Sequence, residues 1–256
     1  MFGLIKYTII LTFFVGLGLA QPELEQIKLD IENGSFSLAA SISGPKAVKL
    51  YPDNPTAHLL YAQSLYLVSK LEEARAELNI AYELKPKDMS EYEHLNGLLL
   101  ARDGDTYQSR KMLKRAFEEN PIYEYAMDWA RVSWQSGHLD EAITAFKKAS
   151  NTASGKTEGW PILNSARLLY GMQRYEEAIA LYNQAFRLFD AKDNSISGSS
   201  LPSPGYVEAL FGLGQSYEQL GDFKRAEQYY KSAKNSNPNL EAAEAALTRL
   251  KKTSAP

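Results

Sequence analysis

Residues 211–238, FGLGQSYEQLGDFKRAEQYYKSAKNSNP, read as helix at almost every position except their glycines. Gly212 and Gly214 lie inside the run and Gly221 interrupts it. A glycine in a helix interior is about 0.5–1 kcal/mol less favourable than alanine, so these three need a physical reason. They could cradle a phosphate, which would point to an enzyme, or they could let helices approach closely. Leu210, Leu213, Gly214 and Tyr217 fall at i, i+3, i+4 and i+7, one face of an amphipathic helix. Gly221 breaks that run, and Asp222 is placed to cap the next helix. Ala226, Tyr230 and Ala233 form the inward stripe of the second helix, and Pro238 follows its end. The stretch therefore reads as two antiparallel helices joined by a short turn.

The order Leu210-x2-Leu213-Gly214-x2-Tyr217, then Ala226-x3-Tyr230, Ala233 and Pro238, resembles the tetratricopeptide repeat, whose period is about 34 residues. Self-similarity along the chain supports the resemblance. Units start near 55, 90, 123, 159 and 207 when the second-helix alanines Ala74, Ala142, Ala178 and Ala226 are aligned, with Ser109 in the alanine's place in the unit at 90. Residues 21–54 read as a degenerate unit, because Ala47 and Pro52 precede Ala81 and Pro86 by one full period. Its internal Pro45 puts that unit's second helix in question. The position of Gly214 is held by Ala62, Gly97, Ala130 and Ala166 in the other units. A phosphate loop would not accept alanine in three of five copies, so the recurring small residue reads as a helix–helix contact.

The resemblance implies an all-α, right-handed superhelical solenoid of antiparallel helix pairs. Four units would occupy 55–189, and a flexible inserted loop rich in Ser, Gly and Pro would occupy 190–206. A further unit at 207–239, a capping helix at 240–252 and a tail at 253–256 would complete the chain.

Composition bounds the rest. The chain has 256 residues, 45% hydrophobic and 23% charged, a globular balance. A formal charge of −3 gives no basic face for nucleic acid. Without cysteine there is neither a disulfide nor a thiolate metal site. At the N-terminus, Lys6 precedes the apolar run YTIILTFFVGLGLA, which ends in the small residues Gly18 and Ala20. That is the pattern of a secretory signal peptide over 1–20, cleaved after Ala20. The expected location is therefore the periplasm or cell envelope, or the secreted fraction, with no membrane span after cleavage.

The motifs that carry chemistry are incomplete in this sequence. Glu91 and His94 form a single Glu-x-x-His pair without the second copy a di-metal bundle needs. Gly214-x-Ser216-x-Glu218 lacks the final glycine of a nucleophile elbow. The paired acids Glu72-Glu73, Glu118-Glu119 and Glu176-Glu177 fall on expected outer helix faces, and Asn33-Gly-Ser35 is a glycosylation sequon. No enzyme, cofactor or metal site is read.

In the resembled family the first helices line the concave groove. Carried to this chain, the groove positions include Tyr66, His94, Met127, Arg131, Trp134, Trp160, Arg167, Tyr170, Phe211 and Gln215, with Asn164 adjacent. Tyr66, Arg131, Trp134, Asn164, Arg167, Tyr170 and Phe211 are the candidate partner-binding residues. Aromatics beside arginines suit a binding hot spot, and an arginine fork suits a carboxylate. The alternative is that the aromatics pack between repeats and the arginines are solvated. The lysine and asparagine places of the chaperone-binding version of the family hold Leu59 and Gln63, then His94 and Leu98, which argues against that partner.

The resulting expectation is an exported, non-enzymatic adaptor for a peptide or protein partner in envelope assembly. An accessory subunit of an envelope enzyme complex, or a structural protein that self-associates through an open N-terminal end, stays open as an alternative. N-terminal sequencing of native material should begin at Gln21, or be blocked by cyclisation of that glutamine. Intact Met1 recovered from a membrane fraction would contradict cleavage.

Overall fold

The computed structural model describes residues 21–195 and 202–253. The signal-peptide reading at 1–20, residues 196–201 of the expected loop, and tail residues 254–256 lie outside the described residues. Among those described there is no strand, and no helix is long and apolar enough to cross a membrane. The chain divides into two compact units, the first ending at Leu99 and the second beginning at Leu100.

In the first unit, α1 (Pro22–Glu32) starts on a proline with Glu23 and Glu25 in its first turn. There the missing N–H of proline costs nothing and the acids oppose the helix dipole. The chain then forms α2 (Phe36–Leu38), a π-helical stretch (Ala39–Ser43) and α3 (Gly44–Leu50) without a break. The second helix questioned on account of Pro45 is thus formed. The wide turn just before Pro45 provides the room that the proline ring and its missing donor would otherwise deny a regular helix. Ser43, in that wide turn, donates to the buried Asp30 carboxylate, and Gln26 Nε2 donates to Asp30 Oδ1 at 2.8 Å.

Next come α4 (Pro55–Leu67) and α5 (Leu71–Glu83), packed along Ala62, Leu65, Ala74, Leu78 and Ala81. Asn54 caps α4 by accepting from Thr56 N–H at 2.9 Å. The buried His58 ring spans the pair, with Nδ1 2.6 Å from Glu77 Oε2 and Nε2 2.9 Å from the Pro52 carbonyl. Leu95 and Leu99 of α6 (Ser90–Arg102) close this core.

The second unit continues as α7 (Thr106–Glu119), α8 (Tyr123–Gln135), α9 (Leu139–Asn151), a short 3-10 turn (Gly155–Thr157) and α10 (Trp160–Gly171). It ends with α11 (Tyr175–Ser195), α12 (Pro204–Gln219), α13 (Phe223–Ser236) and α14 (Glu241–Thr253). Asp105 and Asp222 accept from the N–H of Gln108 and Arg225, both at 3.0 Å, as helix N-caps. The turns of successive pairs each hold one left-handed residue: Ser69, Gly104, Gly137, Gln173 and Gly221. This conformation ends a helix cleanly, and glycine adopts it without strain.

The segment expected as a loop over 190–206 is shorter than that. α11 runs on to Ser195 because no Gly or Pro interrupts it, and α12 starts at Pro204 with Ser203 as its N-cap. α12 then packs on both neighbours through its glycines. A Cβ at Gly212 would lie 2.4 Å from the Tyr182 ring of α11, and one at Gly214 would lie 2.6 Å from the Tyr230 ring of α13. The glycines of 211–238 are therefore two flush helix contacts and one left-handed turn.

The last helix buries Ala243, Ala246, Leu247 and Leu250, three of which join Ala226 and Tyr230 in one cluster. Arg249 grips Glu218 through Nε at 2.8 Å and Nη2 at 2.7 Å, and the Tyr230 hydroxyl donates to the same carboxylate at 2.6 Å. Glu218 is held below the usual carboxylate range, chiefly by Arg249 and then by Tyr230. Its folded value lies below its unfolded one. The contribution is therefore present above the ordinary carboxylate range and is lost as pH falls through the depressed value.

Replacing Gly214 with leucine should destabilise the second unit by about 1–3 kcal/mol, because the helices cannot separate without losing the Tyr230 contact. Denaturant unfolding would measure it, and an unchanged midpoint would contradict the packing role.

Candidate functional site

The first helices of three successive pairs in the second unit, α8, α10 and α12, carry six of the seven candidate residues. Tyr66 is the exception. It sits half-buried against the α4–α5 core of the first unit.

On α8, Arg131 is exposed and pairs within its own helix, Nη2 to Asp128 Oδ1 at 2.7 Å. Trp134 is 36% exposed, its ring meeting Phe146 edge-on at 6.2 Å. One side of this indole is therefore held by the core while the other faces solvent.

On α10, each nitrogen of the Arg167 guanidinium meets an acceptor of the protein. Its Nη1 donates to Asn164 Oδ1 at 2.6 Å, and its Nε and Nη2 both address Glu208 Oε1 on α12. The arginines expected to capture a partner's carboxylate thus already hold carboxylates of this chain. An unpaired guanidinium on a crowded face is less favourable than one with a partner in reach; helix spacing brings Asp128 to Arg131, and the packing of α10 against α12 brings Glu208 to Arg167. Tyr170 is half-buried with its ring 5.5 Å from Tyr175. Burial pushes its hydroxyl above the ordinary phenol value, although Gln219 opposes this by hydrogen bonding.

On α12, Phe211 stands one turn after Glu208 and packs 5.4 Å from the Tyr230 ring. Beside it opens a cavity of about 500 Å³ between the start of α12 and the α13–α14 turn. Pro202, Pro204 and Val207 line it from one side and Ser236, Asn237, Pro238, Asn239 and Leu240 from the other, and among the described residues Glu208 is the one charged side chain in the lining. The structure thus gathers Asn164, Arg167, Glu208 and Phe211 into one continuous site. Glu208 was missed by the sequence reading, although it lies three residues before Phe211 on the same helix face. A second hollow of about 420 Å³ lies between α9, α10 and α11, with Phe146, Ile162 and Leu169 in its lining and Lys147 and Gln184 among its polar residues.

Elsewhere several carboxylates are engaged by other helices, while the buried Ser90 Oγ, Arg110 Nε and Ser133 Oγ make no hydrogen bond among the described residues. Glu141 accepts from Trp129 Nε1 at 2.7 Å and from Arg110, tying α7, α8 and α9 together. Among the described residues no group of three or more His, Cys, Asp or Glu is arranged to hold a metal ion.

These helix pairs define the class of protein. The tetratricopeptide repeat family profile matches residues 29–88 and 163–241, together just over half of the chain. The chain belongs to the tetratricopeptide repeat family, an all-α solenoid fold used for protein interaction. No curated protein matches it by sequence.

Among solved structures it is similar to YrrB, described as a tetratricopeptide protein with an unusual peptide-binding site. That likeness has 15% identity and a TM-score of 0.62, covering 79% of this chain and 96% of that one. It is also similar to Pseudomonas aeruginosa PilF, with 16% identity and a TM-score of 0.62 over 91% of this chain and 96% of that one. A third likeness is to PilW, described as a widely conserved type IV pilus biogenesis factor. Here identity is 16% and the TM-score 0.63, over 88% of this chain and 97% of that one. At such identities these likenesses speak for the fold alone.

Proposed function

We propose that this protein is an exported, non-enzymatic adaptor of the cell envelope that holds a peptide or protein segment against the first-helix face of its second unit. The observation that carries this reading is the Phe211 cavity bordered by the Arg167–Glu208 pair. A concave apolar pocket with one oriented charge is what side-chain recognition requires. Trp134, meeting Phe146 edge-on and about one-third exposed, adds the kind of rigid aromatic anchor that dominates binding energy.

Export is supported by the charged, apolar and small-residue pattern of residues 1–20. The envelope setting draws on the likeness to PilW, a pilus biogenesis factor, and the peptide ligand on the likeness to YrrB with its peptide-binding site. A non-enzymatic role agrees with ionisable groups that are tied to one another across helices, as Glu141, Glu208 and Glu218 are.

Crosslinked capture from the native envelope fraction would supply the partner. Truncating Trp134 or Tyr170 to alanine should then reduce its affinity by about 2 kcal/mol. Both aromatics also touch the protein, so thermal melting must be followed in parallel. Variants that melt early yet bind normally while folded would make these rings packing residues and remove the proposed face.

A further inference from the structure

Resting on the adaptor reading, we infer that the bound segment carries an apolar side chain next to a lysine or arginine. The apolar group enters the Phe211 cavity and the cation meets Glu208. The charge that the family resemblance led us to expect at this face was the opposite one, a partner's carboxylate facing free arginines.

Both arginines of this face already hold acceptors of the chain itself. Arg131 is bound to Asp128, and Arg167 has Nη1 on Asn164 and both Nε and Nη2 on Glu208. Both contacts to Glu208 fall on Oε1, so Oε2 keeps its acceptor capacity among the described residues. Among the described residues Glu208 is also the one charged side chain lining the cavity. An incoming carboxylate would have to displace Glu208 from Arg167 and approach it as a like charge, which disfavours it. An incoming ammonium or guanidinium meets an unused carboxylate oxygen instead.

Burial favours the same choice. The Arg167 and Glu208 side chains are 33% and 38% exposed, so a ligand cation can reach Oε2 without leaving water altogether. The apolar neighbour is called for by the walls. Pro202, Pro204 and Pro238 have no backbone N–H to leave unpaired when water is displaced, and Phe211, Val207 and Leu240 add apolar surface.

The test is a random peptide library selected on the exported protein, followed by fluorescence anisotropy of the enriched peptides and of their Lys/Arg→Glu analogues. Enriched peptides should pair an apolar residue with an adjacent base, and the charge swap should weaken binding at least about 10-fold. Glu208→Gln removes the acceptor charge and frees Arg167, so the preference should invert. Basic peptides lose about 10-fold and acidic analogues gain. Arg167→Gln, which leaves Glu208 unshared, should keep or tighten binding of basic peptides. A merely structural role for the pair would lower both classes equally in both variants.

Enrichment of acidic peptides, or a basic-to-acidic ratio unmoved by Glu208→Gln, would overturn the inference and leave the adaptor reading standing. Failure to enrich any peptide would overturn both.

Discussion

Where the two helices of a pair cross, the first helix contributes a residue almost without a side chain. Ala62, Ala130, Ala166 and Gly214 occupy that place and are fully or nearly buried, as is Gly97 in α6. The neighbouring helix fills the space with something large, most plainly the Tyr230 ring pressed flat on Gly214. Close-packed interiors tolerate neither a void nor an extra methylene at such a contact. The contact sets how near the helices lie, and so which side chains are left over to face outward. The side chains available for recognition on α8, α10 and α12 are those that this packing does not use.

Electrostatics then follows a consistent pattern. Carboxylates link helices by accepting from a donor on another helix: Glu77 faces His58, Glu141 takes Trp129 and Arg110, and Glu218 takes Tyr230 and Arg249. In each case a polar edge of a buried ring is satisfied and the helix pair gains an orienting bond. Arg167 and Glu208 join α10 to α12 in the same way but nearer the surface, beside an apolar cavity. That difference of place is what the proposed recognition site rests on.

The fold class was legible in the sequence because it rests on local signals that repeat: helical spacing, a small residue in each first helix, and turn residues such as Gly221 between pairs. Three features were not legible. The continuation of α11 to Ser195 depends on the absence of helix breakers between Tyr175 and Ser195, whereas the reading weighed the Ser-, Gly- and Pro-rich stretch that follows. The π-helical stretch before Pro45 accompanies a tertiary contact that helical periodicity does not reveal, Gly44 lying so close to α4 that a Cβ there would strike the Tyr61 ring. Finally, the partner of Arg167 sits in another helix pair, beyond a segment whose length departs from the repeat. Periodicity places Arg167 on a face but does not supply Glu208 as its ion-pair partner.

Amide hydrogen exchange of the protein, alone and saturated with its captured partner, tests most directly whether recognition occurs on the first-helix face of the second unit. Slowed exchange should concentrate in α10 and α12, Trp160–Gly171 and Pro204–Gln219, and at the turn through Asn239 and Leu240. Protection confined to α9 and α11 around the Phe146–Leu169 hollow, with α10 and α12 unchanged, would place the partner on the other helices and contradict the proposed site.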